Sequence, residues 1–312
     1  MNCPPWIGSH RTFVEILRFI PWGMKTCIQP VHFLVCKVGY LAFLLEWADE
    51  LRSFLVSILP MGSNQLEPEL NFSVIIPAYN EEEYLPRTLE ALKHAIDRLA
   101  DLRGEIILVD NQCTDRTAQI AEEFGCIVIK EPVRQIAKAR NSGARAARTL
   151  NLIFLDADTL VPPSTFAQAI EALNGGEVGC GGAQLVLDAY PARWFAGRFL
   201  PGAWNWISRK FKLFAGSFIF CRAELFFECG GFPETHFAGE EIVLSRKLKK
   251  ESRKNGKKAI IISHPPVISS ARKLAWYSDL AILRLVLPLM GMPFFLRSRK
   301  ACRFWYDRPT KD

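Results

Sequence analysis

No Cys-x-x-Cys pair occurs in the 312 residues, and the nine cysteines (3, 27, 36, 113, 126, 180, 221, 229 and 302) are scattered and odd in number. That pattern disfavours both a structural zinc site and a disulfide framework, and it points to a reducing, cytosolic setting. A G-x-x-x-x-G-K-[ST] phosphate loop is also missing, so the nucleotide-binding class built on it is excluded. The stretch Pro77-Ala-Tyr-Asn-Glu-Glu82 contains no glycine, although a dinucleotide fold would need three there to bring backbone against a pyrophosphate. Both long apolar stretches are interrupted, the first (Ile28 to Trp47) by Pro30, His32, Lys37 and Glu46, the second (Leu274 to Leu296) by Asp279, Arg284, Pro288 and Pro293. Neither offers the run of roughly 20 apolar residues that a spanning helix requires. Repeats and low-complexity tracts are absent too.

What remains is ample for a folded enzyme-sized core: 49% of residues are hydrophobic, and the formal net charge is +7 with a pI near 8.9. A basic balance suits an anionic partner, either a phosphate-bearing ligand or an acidic membrane surface. Residues 1–70 read as a hydrophobic, membrane-associated or mis-started extension, with Met61 as an alternative start, ending in the linker Leu59-Pro-Met-Gly-Ser-Asn-Gln-Leu-Glu-Pro68. Residues 71–272 read as the catalytic domain. Residues 273–312 read as an amphipathic, membrane-interfacial segment with a basic, aromatic tail from Arg297 to Tyr306.

Within 71–272 the periodicity is that of an α/β domain. Phe72–Pro77, Glu105–Asp110, Cys126–Lys130 and Leu152–Asp156 read as buried strands. Amphipathic stretches lie between them, carrying Leu85, Leu89, Leu92 and Ile96, then Thr114 to Phe124, then Ile136 to Thr149. Such alternation predicts right-handed crossovers and a Rossmann-like, mostly parallel sheet covered by helices on both faces.

Ligands collect at the carboxyl ends of such strands. The first is followed by Pro77 to Glu82, the second runs into Asp110 to Asp115, and the fourth ends in Asp156-Ala-Asp158. Residues i and i+2 of an extended chain point to one side, so Asp156 and Asp158 can share an ion. With no glycine loop to cradle phosphate, a Mg²⁺ or Mn²⁺ ion on these carboxylates is the natural substitute, because hard cations prefer oxygen ligands and share them with phosphates.

Five blocks then carry a family resemblance. Ser73-Val-Ile-Ile-Pro-Ala-Tyr-Asn-Glu-Glu82, Val109-Asp-Asn-Gln-Cys-Thr-Asp-Arg-Thr117, Ala139-Arg-Asn-Ser-Gly143, Asp156-Ala-Asp158 and Gly239-Glu-Glu-Ile242 stand in the order found in family 2 glycosyltransferases with the A-type nucleotide-sugar fold. The resemblance implies a nucleotide-sugar donor, with Pro77, Tyr79 and Glu81 lining the nucleoside pocket and Asp110 and Asn111 at the base or ribose. Asn111 stands where many members carry a second aspartate. By the same resemblance Arg140 would meet the nucleotide or its diphosphate, Asp158 the metal, and Asp156 the metal or the ribose. Glu241 would be the general base, with Glu240 the competing choice because the family's usual Glu-Asp pair is here Glu-Glu.

The implied reaction is inverting, metal-dependent transfer to a hydroxyl acceptor that is lipid-linked or part of a glycan. Lack of a Q-x-x-R-W element predicts a single transfer per acceptor, and the flanking segments place the enzyme on the cytoplasmic face of a membrane. The basic run Ser245 to Lys258 fits a solvated helix face or an anionic contact, and His264 reads as structural. Two other classes compete: a non-catalytic nucleotide-sugar-binding protein, in which Glu241 would be dispensable, and a sugar-phosphate nucleotidyltransferase, which should carry a glycine-rich loop after its first strand. Nucleic acid is not an expected partner.

Overall fold

The computed structural model describes residues 70–99, 101–188, 195–272 and 296–306. The expected N-terminal extension and the apolar stretch 274–295 lie outside the described residues. Among the described ones, no helix is long and apolar enough to cross a membrane. The chain divides between Glu67 and Pro68, inside the predicted linker, and Pro68–Asp312 forms one compact unit.

Among the described residues, eight strands make one mixed sheet. β1 (Phe72–Ala78), β2 (Gly104–Asp110), β3 (Ile127–Lys130) and β4 (Asn151–Leu155) are the runs read from sequence. They are followed by β5 (Thr159–Leu160), β6 (Val178–Leu187), β7 (Phe218–Arg222) and β8 (Lys258–Ser269). Their order is β3-β2-β1-β4-β7-β6-β8-β5. β1 pairs in parallel with both β2 and β4, so the chain winds outward in opposite directions from this pair of neighbours. A crevice opens at the carboxyl ends of strands flanking such a switch point. That is where the first and fourth motifs lie.

The second half departs from the parallel pattern expected for the first. β7 runs antiparallel to both β4 and β6, whereas β6 and β8 are parallel. Antiparallel pairing of Leu155 with Phe218 sets the start of β7 beside the end of β4. The loop before β7 is thereby delivered to the carboxylates that follow β4.

Alternating side chains of β1 feed two cores. Phe72, Val74 and Ile76 pack with Leu85, Leu89 and Leu92 of α1 (Leu85–Asp97) and with Phe166, Ile170 and Leu173 of α4 (Pro163–Asn174). Ile75 faces the other way, toward Ala137, Ala139 and Ala144 of α3 (Ile136–Ala146). α2 (Thr117–Glu123) closes the first face. α3 lies so close to the sheet that a Cβ at Gly143 would sit 2.3 Å from Ile75 Cγ2, which is why that motif needs glycine. Phe154, Phe226 and Phe232 interlock with centroids 5.1 to 5.8 Å apart. They form a rigid apolar floor under the crevice, each buried ring contributing about 1.5–3 kcal/mol.

Candidate active site

The crevice is a cavity of about 350 Å³. Its wall includes Pro77 at the end of β1, Tyr79 and Glu81 after it, Asn111 after β2, Arg140 of α3, Asp156 and Asp158 after β4, and Glu240 and Glu241. Nine of the ten residues singled out from sequence thus meet in one place. Asp110 is the exception among the wall residues, and its Oδ1 accepts the backbone N–H of Cys113 at 2.7 Å, holding the turn after β2. Asp115 is likewise structural, tying the second motif to the first by accepting the N–H groups of Thr117 and Glu82.

Two guanidinium groups organise the carboxylates. Arg140, buried over the Phe232 ring at 5.1 Å, donates from Nη2 to Asp156 Oδ1 and from Nη1 to Glu240 Oε1, both at 2.8 Å. These neighbours hold the guanidinium firmly charged despite its burial. Its Nε and the buried Ser217 Oγ have no hydrogen-bond partner among the described residues, a state that costs about 1–3 kcal/mol per group and that a polar ligand in the cavity would relieve. Arg272 donates from Nη2 to Glu81 Oε2 and, at 3.1 Å, to Asp158 Oδ2. It reaches Asp158 because β8 ends beside β5: Thr159 pairs with Ser269, and the Ser270 N–H bonds Asp158 O.

The glutamates begin α7 (Glu240–Lys254), entered through Gly239 at φ +69°. Only glycine adopts that left-handed conformation freely. Spacing at i, i+3, i+4 and i+7 predicts one inward face of Glu241, Leu244, Ser245 and Leu248; the structure buries Leu244, Ser245 and Leu248, but the glutamate buried with them is Glu240. The two carboxyls then take different fates. Glu240 is 5% exposed and neutralised by Arg140. Glu241 keeps part of its surface open to the cavity, yet it is so enclosed that burial, reinforced by the charge of Glu240, pushes its pKa up to about 8.

Asn111 has a structural task not anticipated from sequence. Its Nδ2 donates to Glu131 O at 3.0 Å and to Val133 O at 2.6 Å, while its Oδ1 accepts the Gln135 N–H at 2.9 Å. An aspartate could not make the two donations. This clamp shapes the loop that carries Arg134, whose guanidinium lies 3.6 Å from the Tyr79 ring centroid and donates to Tyr306 O.

Sequence reasoning missed Arg134, Arg272, Trp204 and Tyr306, all on the cavity wall. Tyr306 ends a short helix, Arg303–Tyr306, that packs with Cys302 against Ala238, Ile136 and Phe237. The tail read from sequence as membrane-interfacial contributes a wall of the site.

In chemistry the donor set fits a hard divalent cation, since Asp156 and Asp158 both present oxygens to the cavity. Each is also paired with a guanidinium, and among the described residues no cluster of three or more His, Cys, Asp or Glu is arranged to hold a metal unaided. An ion here would have to complete its shell with ligand oxygens, as Mg²⁺ commonly does.

Comparison with known proteins agrees with this geometry. Over 121 residues the chain is 32% identical to a dolichol-phosphate mannosyltransferase of Pyrococcus furiosus, covering 36% of this chain and 33% of the relative. Over 115 residues it is 35% identical to an undecaprenyl-phosphate 4-deoxy-4-formamido-L-arabinose transferase of Pseudomonas fluorescens, covering 34% and 33%. The chain thus spans about a third of these curated relatives. The mannosyltransferase PcManGT of Pyrobaculum calidifontis, solved with GDP-Man and Mn²⁺, superposes with a TM-score of 0.51 at 22% identity, covering 75% of this chain and 64% of that one. This likeness concerns the fold. The family model for glycosyl transferase family 2 matches residues 73–227, the segment that supplies β1 through β7 and most of the cavity, and by that match and the curated relatives the chain belongs to glycosyl transferase family 2.

Proposed function

We propose that the protein transfers a sugar, with inversion, from a nucleoside diphosphate sugar to a hydroxyl acceptor, one transfer per encounter. The observation that carries this reading is Glu241: a carboxyl opening on the cavity, with a pKa raised to about 8, beside a neighbour of the same charge that Arg140 neutralises. Environments that drive two adjacent carboxyls apart assign their roles. Glu241 takes the proton of the acceptor hydroxyl, whose oxygen forms a bond to the anomeric carbon as the bond from that carbon to the diphosphate breaks on the opposite side. The nucleoside diphosphate leaves with the electron pair. Glu240 acts through Arg140, fixing the guanidinium beside Asp156.

Tyr79, with its ring braced by Arg134, and Pro77 line the nucleoside end of the cavity. Asp158, with Asp156, would hold a Mg²⁺ or Mn²⁺ ion, which when bound offsets charge on the diphosphate. PcManGT, solved with Mn²⁺ and GDP-Man, supports that expectation. The acceptor we propose is lipid-linked, presented at the cytoplasmic surface of a membrane. The names of both curated relatives include a lipid phosphate. On α5 (Phe195–Phe211), Trp206 and Phe211 are more than half exposed, with Lys210 Nζ 4.8 Å from the Trp206 ring centroid, an aromatic and basic pairing suited to a lipid headgroup region.

The test is Glu241→Gln, assayed with UDP- and GDP-sugars, Mn²⁺, and both soluble and vesicle-borne acceptors. Transfer should fall about 10²- to 10⁴-fold while nucleotide affinity stays within about twofold. Undiminished transfer by this variant would refute the assignment, and binding without transfer in the wild type would favour the non-catalytic binding protein.

A further inference from the structure

Arg272 lies at the junction of β8 and the C-terminal segment, beyond the last residue matched by the family model. One of its nitrogens is shared between Glu81, from the loop after β1, and Asp158, from the loop after β4. The side chains of all three are about nine-tenths buried, and the guanidinium carbon lies 4.3 Å from the Tyr84 ring centroid. Two buried carboxylates on separate loops cannot stay close without a cation between them, and the guanidinium supplies it. Asp158 is also the residue best suited to a divalent ion. One oxygen cluster is therefore claimed by two cations of different origin.

The charge of the cavity decides how that conflict resolves. Among the described residues on its wall, four paired carboxylates (Glu81, Asp156, Asp158, Glu240) face three guanidinium groups (Arg134, Arg140, Arg272), an excess of negative charge. A diphosphate entering alone would meet net repulsion. A divalent ion entering alone would have to displace Arg272 from Asp158 without bringing the guanidinium an anion in exchange. When both enter, the ion occupies Asp158 and the freed guanidinium has a new anion within its reach.

Resting on the nucleotide-sugar reading above, we propose that Arg272 is a resident cation which holds Glu81 and Asp158 together until a divalent ion and a nucleoside diphosphate enter jointly, and which then exchanges Asp158 for the diphosphate. Arg272 is in this sense a positioning residue that makes the binding of ion and donor interdependent. Linkage makes the effect reciprocal: the factor by which nucleotide improves ion binding equals the factor by which the ion improves nucleotide binding, typically 5- to 150-fold.

The experiment is calorimetric titration of the full chain with Mn²⁺ alone, with UDP or GDP alone, and with Mn²⁺ in saturating nucleotide, for the wild type, Arg272→Gln and Arg272→Lys. Arg272→Gln should bind Mn²⁺ alone at least about tenfold more tightly than the wild type, and its coupling factor should fall at least about fivefold, with direct contact between ion and phosphate accounting for the remainder. Arg272→Lys keeps the charge but not the planar fork, so its Mn²⁺ affinity should lie between the two. It also carries the test if the glutamine variant fails to fold. Mn²⁺ affinity within twofold of wild type in a folded variant that still binds nucleotide overturns the role of Arg272. Failure of the wild type to bind either nucleotide, with or without Mn²⁺, overturns the nucleotide-sugar reading itself.

Discussion

Glu241 retains its proton to about pH 8 because burial and the charge on Glu240 both disfavour its carboxylate, more than Arg140 favours it. Activity that depends on the ionised base should therefore rise with pH and level off above pH 8. Replacing Glu240 by Gln removes the repulsion, so the rising limb of kcat/KM should move to lower pH, and an unmoved limb would mean that Glu241 is not the titrating base. The same displacement bears on stability. Between the ordinary value of 4.5 and about 8 the folded protein holds a proton that the unfolded chain has released, so this group's contribution to stability falls as pH rises through that window. Glu241→Gln should accordingly gain more in thermal midpoint at pH 8 than at pH 5.

The loop between β3 and α3, residues 131–135, shows how an element can depend on one side chain. Asn111 pins it at three backbone points, and the loop in turn holds Arg134 against Tyr79. Asn111→Asp retains the size but loses both donors, leaving two carbonyls facing a carboxylate. The expected cost is at least about 1–3 kcal/mol, read by urea denaturation, with weaker nucleotide binding as the loop relaxes. The Asn-for-Asp departure was visible in the sequence, but its meaning was not, because its partners lie 20 to 24 residues away. The helix-spacing argument succeeded for α7, where Leu244, Ser245 and Leu248 are buried as their period required. It turned Glu241 inward with them, whereas the structure buries Glu240, at i−4 from Leu244 and held by Arg140, 100 residues distant.

On the scale of the whole molecule, the tail closes on the site. Leu296 O accepts the Phe237 N–H at 2.7 Å, Cys302 is fully buried, and Tyr306 reaches the cavity. A chain ending at residue 295 should lose thermal stability and bind UDP or GDP more weakly, as measured by melting with and without nucleotide. An unchanged nucleotide-induced shift would show that Tyr306 and its helix are dispensable to the site.

The first half of the fold was written locally. Short apolar runs such as Ser73-Val-Ile-Ile-Pro77 and Leu152-Ile-Phe-Leu155 read as covered strands, and helical spacing between them implies parallel crossovers, whose strand ends are where ligands collect. Pro77, Tyr79, Glu81, Asn111, Asp156 and Asp158 meet at one cavity for that reason, while Arg140, Glu240 and Glu241 reach it from helices. Tertiary structure alone decided the antiparallel placement of β7, the pairing of Arg140 with Asp156 and Glu240, and the arrival of Arg272 at Asp158. A lone arginine after a strand carries no periodic signal, and the identity of its partner depends on which distant loops the sheet order brings to its side.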